Sequence, residues 1–398
     1  MRKVFNLAII AGEESGDLLG ADLVACLKKI APHLELRLIG IGGEHLAKQG
    51  LQSFFPISEI SLMGIGEVLV KLPKLLYYIN RLTKYLLKQE LDCLLIIDSP
   101  DFTHRVAKKI KRILPTLPII QYIAPSVWAW RAKRAQKMRF FIDHLLVILP
   151  FEVECMKKLN GPDSTYVGHK LLYSEDIKKV LISRGAREHY DVLSFPTLLL
   201  LPGSRRFEIK RLMPLFGKMI DNLLTQVPLL QIKIVTLPRL YEEISKLAKN
   251  WQVKPIIEYT EAEKWKTLAQ ADIALAASGT ALLELALCDV PSISVYKMDL
   301  VAKVIIKPQI KIWSAALPNI IAGKPIIPEF YNDYARAENL AHQVQYLLEN
   351  KYARKAQLAS FADMRTIMQT PEPAGVSGAK ALLKICGENL ESSLVKKT

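Results

Sequence analysis

One device occurs twice in this chain: a short apolar strand, a loop of small residues, and a helix. The first copy runs from Phe5 to Ile10, through Ala11-Gly12-Glu13-Glu14-Ser15-Gly16-Asp17, into an apolar-periodic helix from Leu18. The second runs from Thr197 to Leu201, through Pro202-Gly203-Ser204-Arg205-Arg206, into a helix from about Glu208. In open α/β sheets ligands bind where loops leave the carboxyl ends of strands. Two such loops, roughly 190 residues apart, predict an α/β chain with two Rossmann-like domains facing a central cleft. The loops differ in charge. Glu13, Glu14 and Asp17 make the first a poor cradle for phosphate, whereas Arg205 and Arg206 suit the second to a pyrophosphate. One half is therefore read as the seat of a phosphorylated donor, and the other as the place where an acceptor is deprotonated.

Strand-length apolar runs extend this pattern along the chain. They fall at 5–10, 36–41, 93–97, 118–122 and 144–149, then at 197–201, 231–236, 254–257, 272–276 and 292–296. Helix-length segments separate them, which predicts parallel sheets covered on both faces. At 398 residues the chain exceeds what one core usually serves. The polar stretch from Leu171 to Asp191 is read as the connection, giving domains at 1–172 and 173–365 and a helical segment at 366–398. Five dispersed cysteines without CxxC spacing argue for reduced thiols and against a disulfide framework or zinc site. No signal-peptide pattern opens the chain and no uncharged apolar run reaches roughly 20 residues, so the expected location is cytoplasmic. The net charge of +15 concentrates around 71–88, 105–112 and 131–139. Nucleic acid, an anionic membrane or a polyphosphate substrate would each account for it. No nucleic-acid-binding motif accompanies the charge, so nucleic acid is not expected.

Several constellations carry chemistry. Leu94-Leu95-Ile96-Ile97 runs into Asp98-Ser99-Pro100-Asp101-Phe102, a buried strand that ends in two carboxylates. A carboxylate is a standard base for a weakly nucleophilic hydroxyl, though Asp98 alone would also suit a turn. Asp92 sits at the far end of that strand, roughly 20 Å away, outside the chemistry. Glu13 lies in the first loop itself, where its carboxylate is not explained by a helix start; if the loop is simply a helix start, Ser15 is its N-cap. Trp128 and Trp130, in Pro125-Ser126-Val127-Trp128-Ala129-Trp130, are read as a sugar or acyl platform or as core filling. Ser278, Gly279 and Thr280 open a helix with amides suited to a phosphate, and Glu284 lies one turn on, within reach of a ribose. Gly40-Ile41-Gly42-Gly43 lacks the spacing and position of a dinucleotide fingerprint. A helix from about Pro73 places Leu75, Leu76, Ile79, Leu82 and Leu86 on one face, ringed by Lys74, Arg81, Lys84 and Lys88 with Tyr77, Tyr78 and Tyr85 nearby. Such a helix either packs on a core or lies on an anionic membrane.

Taken together these stretches resemble the lipid-A-disaccharide synthase family. Further matching segments are Ser61-Leu62-Met63-Gly64, Val167-Gly168-His169 and Leu317-Pro318-Asn319-Ile320, in family order over nearly the whole chain. Lys170 and Leu46 depart from residues common in the family. The resemblance implies a GT-B type glycosyltransferase that moves 2,3-diacylglucosamine from UDP-2,3-diacylglucosamine to the 6-hydroxyl of 2,3-diacylglucosamine 1-phosphate. Inversion at the sugar carbon implies one in-line displacement, with Asp101 or Asp98 as base and Glu13 beside them. Gly203, Ser204, Arg205, Ser278, Gly279, Thr280, Glu284 and Asn319 would bind the UDP donor. Ser15, Met63, Trp128, Trp130, Leu75, Leu76, Tyr78 and Arg81 would meet the acceptor or the membrane. The resemblance also implies peripheral attachment to the cytoplasmic face of the inner membrane, with a homodimer left open. No metal and no cofactor are expected, and a UDP-sugar epimerase or peptidoglycan glycosyltransferase is the alternative on the same architecture.

Overall fold

A computed structural model describes residues 3–60, 65–185, 195–277, 279–298 and 312–395. The chain divides into two compact units, residues 1–170 with 370–398, and residues 171–369. In the first unit the order is β1 (Lys3–Ala11), α1 (Glu14–Ile30), β2 (Leu34–Ile41), α2 (Glu44–Lys48), β3 (Gln52–Ser53), α3 (Ile65–Leu86), β4 (Cys93–Ile97), α4 (Pro100–Ile113), β5 (Ile119–Tyr122), α5 (Lys133–Met138), β6 (His144–Val147), α6 (Glu152–Lys158) and β7 (Asp163–Tyr166). The sheet runs β3-β2-β1-β4-β5-β6-β7 and its described pairings are parallel. Strand order reverses between β1 and β4, where Ala11 lies beside Ile97. The central strands read as unbroken apolar runs because helices cover both faces, and β4 is buried throughout. β3 and β7 are short edge strands with polar residues, which is why the apolar pattern does not find them.

Helix α3 is longer than the sequence suggests. Its range begins eight residues before Pro73, which sits inside the helix instead of opening it. Leu75, Ile79, Leu82 and Leu86 pack into the core against Phe102, Val106 and Ile110 of α4. That packing corrects the membrane reading for Leu75, which is buried and cannot reach a lipid surface.

Asp17 has a role that its sequence position hides. It is buried on α1, and its carboxylate accepts from three backbone N–H groups at the start of α2. Oδ1 takes Gly43 N at 2.6 Å and Leu46 N at 3.2 Å, and Oδ2 takes His45 N at 2.8 Å. A Cβ on residue 43 would stand 2.9 Å from Asp17 Oδ2, so glycine permits the approach. The Gly40–Gly43 motif is thus explained by packing: a Cβ at Gly40 would meet Ile9 O at 2.1 Å.

The second unit contains α7 (Glu175–Gly185), β8 (Thr197–Leu201), α8 (Arg206–Leu224), β9 (Gln231–Val235), α9 (Tyr241–Ala248), β10 (Ile256–Glu258), α10 (Glu261–Gln270), β11 (Ile273–Ala277), α11 (Thr280–Leu287), β12 (Ser292–Tyr296), α12 (Leu317–Ala322), β13 (Glu329–Tyr331), α13 (Ala337–Glu349) and α14 (Lys351–Met368). Its parallel sheet runs β10-β9-β8-β11-β12-β13, reversing between β8 and β11. Arg184 ties α7 to this unit by donating to the carbonyls of Leu268, Ala271 and Asp289. The last helix, α15 (Ala374–Val395), belongs by packing to the first unit: Ala379 and Leu382 join the core around Leu23.

Asn319 on α12 is buried, and its amide is fully engaged. Oδ1 accepts from Ile326 N and Ile327 N at 2.9 and 2.8 Å; Nδ2 donates to Ile327 O and Glu329 Oε1 at 2.9 and 2.7 Å. This corrects the donor-binding expectation for Asn319, because the side chain has no hydrogen-bonding capacity left for a ligand.

Two stability outcomes are expected. Asp17→Ala strands three amides and should cost about 3 kcal/mol. Asn319→Ala should cost a similar ~3 kcal/mol without a selective change in donor KM. Chemical denaturation and donor kinetics check both, and an Asn319→Ala enzyme of unchanged stability with a raised donor KM would restore the ligand role.

Candidate functional site

Both units carry loops at the point where strand order reverses, the position at which open α/β sheets bind ligands. In the first unit these are the loops after β1 and β4, and they touch. A Cβ on Gly12 would stand 2.1 Å from Ser99 Oγ, so glycine leaves the room that the Ser99 side chain occupies. Gly12 N donates to Ile97 O at 3.3 Å. Asp98 and Ser99 both adopt left-handed backbone, with φ of 56° and 42°. Each such residue costs about 1 kcal/mol, and Thr103 Oγ1 stabilises the turn by donating to Asp98 O at 2.9 Å and Ser99 O at 3.1 Å.

This turn brings Asp98 to the switch point beside the loop that carries Glu13. Asp98 is half-buried; its Oδ1 accepts from Ser99 N at 2.7 Å. Asp101, in the first turn of α4, has its side chain 71% exposed and forms an ion pair with Arg134 of α5. Glu13 is exposed at the N-cap position of α1, which corrects the reading of Ser15 as N-cap. Ser15 lies exposed in the first helical turn. Asp92 accepts from Asn6 N at 2.7 Å, a structural tie at the opposite end of β4.

The loop after β5 contributes Trp128 and Trp130, both half-buried. Arg131 lies over the Trp130 ring at 4.1 Å, and Trp128 meets Phe151 edge-on at 5.2 Å. Beneath them lies Glu152, which the sequence reading did not single out. It is buried and takes the Trp128 indole N–H on Oε1 at 3.3 Å and Leu149 N on Oε2 at 3.0 Å. Burial pushes its pKa up to about 7, against these stabilising hydrogen bonds. On α3, Leu76 remains exposed, Tyr78 donates to Glu59 at 2.9 Å, and Arg81 stacks over Phe54 at 5.1 Å. Met63 lies outside the described residues.

In the second unit the loop after β8 turns at Gly203, whose φ is 103° and whose Cβ would fall 2.3 Å from Glu208 Oε2. Glu208 is buried at the start of α8 and accepts from Ser204 N and Arg205 N, each at 3.1 Å. The chain's own carboxylate thus fills the anion seat at this helix terminus. The amides of Ser204 and Arg205 are therefore already bonded, and the cations of this loop remain. Arg205 has its side chain 67% exposed, with Nη1 3.5 Å from Glu208, and Arg206 stands 3.6 Å from Glu243. Arg239, missed in the sequence, donates to Ser204 O at 2.9 Å and adds a third guanidinium. Its signal was a cation just beyond the carboxyl end of β9.

The other switch-point loop, after β11, has Gly279 at φ 132° and Thr280, both exposed. Ser278 lies outside the described residues. Glu284, one turn into α11, pairs with Lys264 at 2.8 Å and is half-buried. Among the described residues no cluster of His, Cys, Asp and Glu has metal-binding geometry. No described helix is long and apolar enough to cross a membrane.

Comparison with known proteins fits this arrangement. The family model described as Lipid-A-disaccharide synthetase matches residues 7–376. A lipid-A-disaccharide synthase of Nitrobacter winogradskyi is 40% identical over 369 residues, covering 93% of this chain and 91% of the relative. One from Rhodospirillum centenum is 37% identical over 386 residues, covering 96% and 95%. Among solved structures, UDP-GlcNAc 2-epimerase from Neisseria meningitidis bound to UDP-GlcNAc has a TM-score of 0.61 at 12% identity, covering 97% of this chain and 100% of that one. Acinetobacter baumannii MurG has a TM-score of 0.53 at 14% identity, with 92% and 99% covered. These likenesses establish a shared fold of two Rossmann-like units. With the family match spanning both units and all four switch-point loops, the chain belongs to the lipid-A-disaccharide synthase family.

Proposed function

We propose that this chain is an inverting hexosyltransferase that joins 2,3-diacylglucosamine, carried on UDP, to the 6-hydroxyl of 2,3-diacylglucosamine 1-phosphate. The products are a β-1,6-linked disaccharide 1-phosphate and UDP. The observation that carries the reading is the opposite charge of the two switch-point sites: carboxylates in one unit and three guanidiniums in the other. Family membership supplies the substrates, and the charges supply the division of labour.

Asp98 is the base in this reading. It sits at the switch point, and one of its oxygens has no protein partner among the described residues. Asp101 has an oxygen held by Arg134 and is the weaker candidate. As the acceptor oxygen attacks the anomeric carbon, Asp98 takes its proton and the bond to the UDP oxygen breaks. Arg205, Arg206 and Arg239 stabilise the charge that grows on the departing diphosphate. Gly279 and Thr280 offer backbone at the start of α11, and Glu284 faces the ribose.

Peripheral attachment to an anionic membrane is part of the same reading. From Phe102 to Ile142 the sequence has ten Lys and Arg and no Asp or Glu. Arg105, Lys108 and Arg112 on α4 crowd Lys137 and Arg134 on α5. Burial first, and then these cations, push the Lys108 pKa down. Phe140 is 81% exposed and Ile113 59% exposed beside them. Cations around exposed apolar side chains suit an anionic lipid surface. Leu76 and Tyr77 of α3 extend the exposed apolar set.

Mass spectrometry of products formed in mixed micelles tests the reaction; product must require both acylated substrates, and plain UDP-GlcNAc should not replace the donor. Asp98→Asn should lower turnover by at least about 100-fold with UDP affinity retained, and Asp101→Asn should lower it less. Arg205→Ala should raise donor KM by roughly tenfold or more. An Asp98→Asn enzyme with near-normal turnover would remove Asp98 from the role. Replacing Lys108, Arg112 and Lys137 together by Gln should weaken sedimentation with phosphatidylglycerol vesicles by roughly 100-fold, at about 1 kcal/mol per charge. Unchanged sedimentation would place the membrane contact elsewhere.

A further inference from the structure

The loop after β5 is held more firmly than a surface connection requires. It begins at Ile123 with φ 68° and ends at Arg131 with φ 55°, two left-handed residues, one of them β-branched. A β-branched residue in that region is a true outlier and persists only where its surroundings impose it. At the first end the imposing group is Gln121, fully buried in β5. Its Nε2 donates to Ile123 O at 3.0 Å, and its Oε1 lies 2.9 Å from His104 Nε2. Burial lowers the His104 pKa to about 4, so the ring is neutral and its Nε2–H serves the glutamine oxygen. Within the loop, Ser126 O accepts from Ala129 N at 3.0 Å and Trp130 N at 3.2 Å.

The second anchor is Glu152. We propose that Glu152 is a positioning residue that fixes the indole of Trp128, and through it the acceptor-binding face of the loop, without touching substrate. This rests on the reading of the first unit as the acceptor side. The Trp128 indole N–H and Leu149 N donate one to each Glu152 oxygen, and the backbone of Ile148 adds a further stabilising contact. Only a carboxylate presents two acceptors there; a glutamine would set its own N–H against one of the donors. A buried carboxylate is costly to retain. Leu149 N alone, at a helix start, would be served by solvent or a smaller capping residue. The Trp128 contact is the bond that links this buried acid to the loop after β5, 24 residues away in the chain. Phe151, the residue before it, closes on the same indole edge-on.

The test couples the two side chains. Glu152→Gln and Trp128→Phe are made singly and together in the full chain. Each single variant should raise acceptor KM or lower kcat/KM for the acceptor by about tenfold, with donor KM unchanged. The double variant should be no worse than the more impaired single one, because both remove the same contact. Independently of activity, the Trp128 indole N–H resonance, assigned by its loss in Trp128→Phe, should shift in Glu152→Gln. Effects that multiply in the double variant, or an unmoved indole resonance, would overturn the proposal. So would Glu152→Gln with wild-type acceptor kinetics. Trp128→Phe keeps Glu152 and provides a folded arm should Glu152→Gln fold poorly. If the wild-type chain makes no disaccharide at all, the proposed reaction fails, while the indole resonance still decides whether Glu152 holds Trp128.

Discussion

The close packing of the Ser99 side chain on the Gly12 backbone is the constraint on which the first unit's candidate site depends. The reversal of strand order between β1 and β4 leaves a crevice at their carboxyl ends. That packing leaves room for only a glycine on one side. The other side then adopts two consecutive left-handed residues, Asp98 and Ser99, and Thr103 bonds both of their carbonyls. Local strain and close approach together set where the Asp98 carboxylate stands. A more relaxed turn would cost less and place it less well.

The second unit gathers its positive charge by a different route. Its switch-point helix α8 has its first amides taken by Glu208 from within. That capping stabilises the helix start but also places a buried negative charge where a phosphate would otherwise sit. In the proposed reaction, electrostatic recognition of the donor would therefore fall to side chains. Arg205, Arg206 and Arg239 offer planar, multiply donating groups of the kind that suit a diphosphate. Gly203 is fixed by the same arrangement, since any Cβ would collide with the Glu208 carboxylate.

Much of this was legible in the sequence, and the parts that were not share one physical reason. Buried parallel strands announce themselves as apolar runs, so β1, β4, β8 and β11 and the loops behind them were found within a residue or two. The edge strands β3, β7 and β13 are short and partly polar, and they carry no such signal. Pro73 favours a helix start locally, yet the helix runs from Ile65 through it, and Leu75, Ile79 and Leu82 pack the part that follows. The roles of Asp17, Gln121, Glu152, Glu208 and Asn319 depend on which polar group each meets. For Asp17 that partner is 26 residues away, for Glu152 it is 24. Residue type shows that a carboxylate or amide can accept or donate; only the fold shows whether the capacity is already used.

That last point separates the two families of polar residues in this chain. Asp17, Asn319 and Glu208 are buried, and their capacity is consumed within their own unit, chiefly by backbone groups and for Asn319 also by Glu329, so changing them removes structure. Arg205, Asp98 and Asp101 are at least partly exposed, and each still presents donors or acceptors to solvent. A ligand can recruit only groups of the second kind, because recruiting the first would strand buried amides at a cost of about 1–3 kcal/mol each. Glu152 stands between them. It is buried like the first group, yet one of its two bonds goes to a side chain on a loop at the ligand-bearing edge of the sheet. A group placed so can influence chemistry only through the side chain it holds, and this is why its effect must appear as coupling with Trp128 and not as a contact of its own.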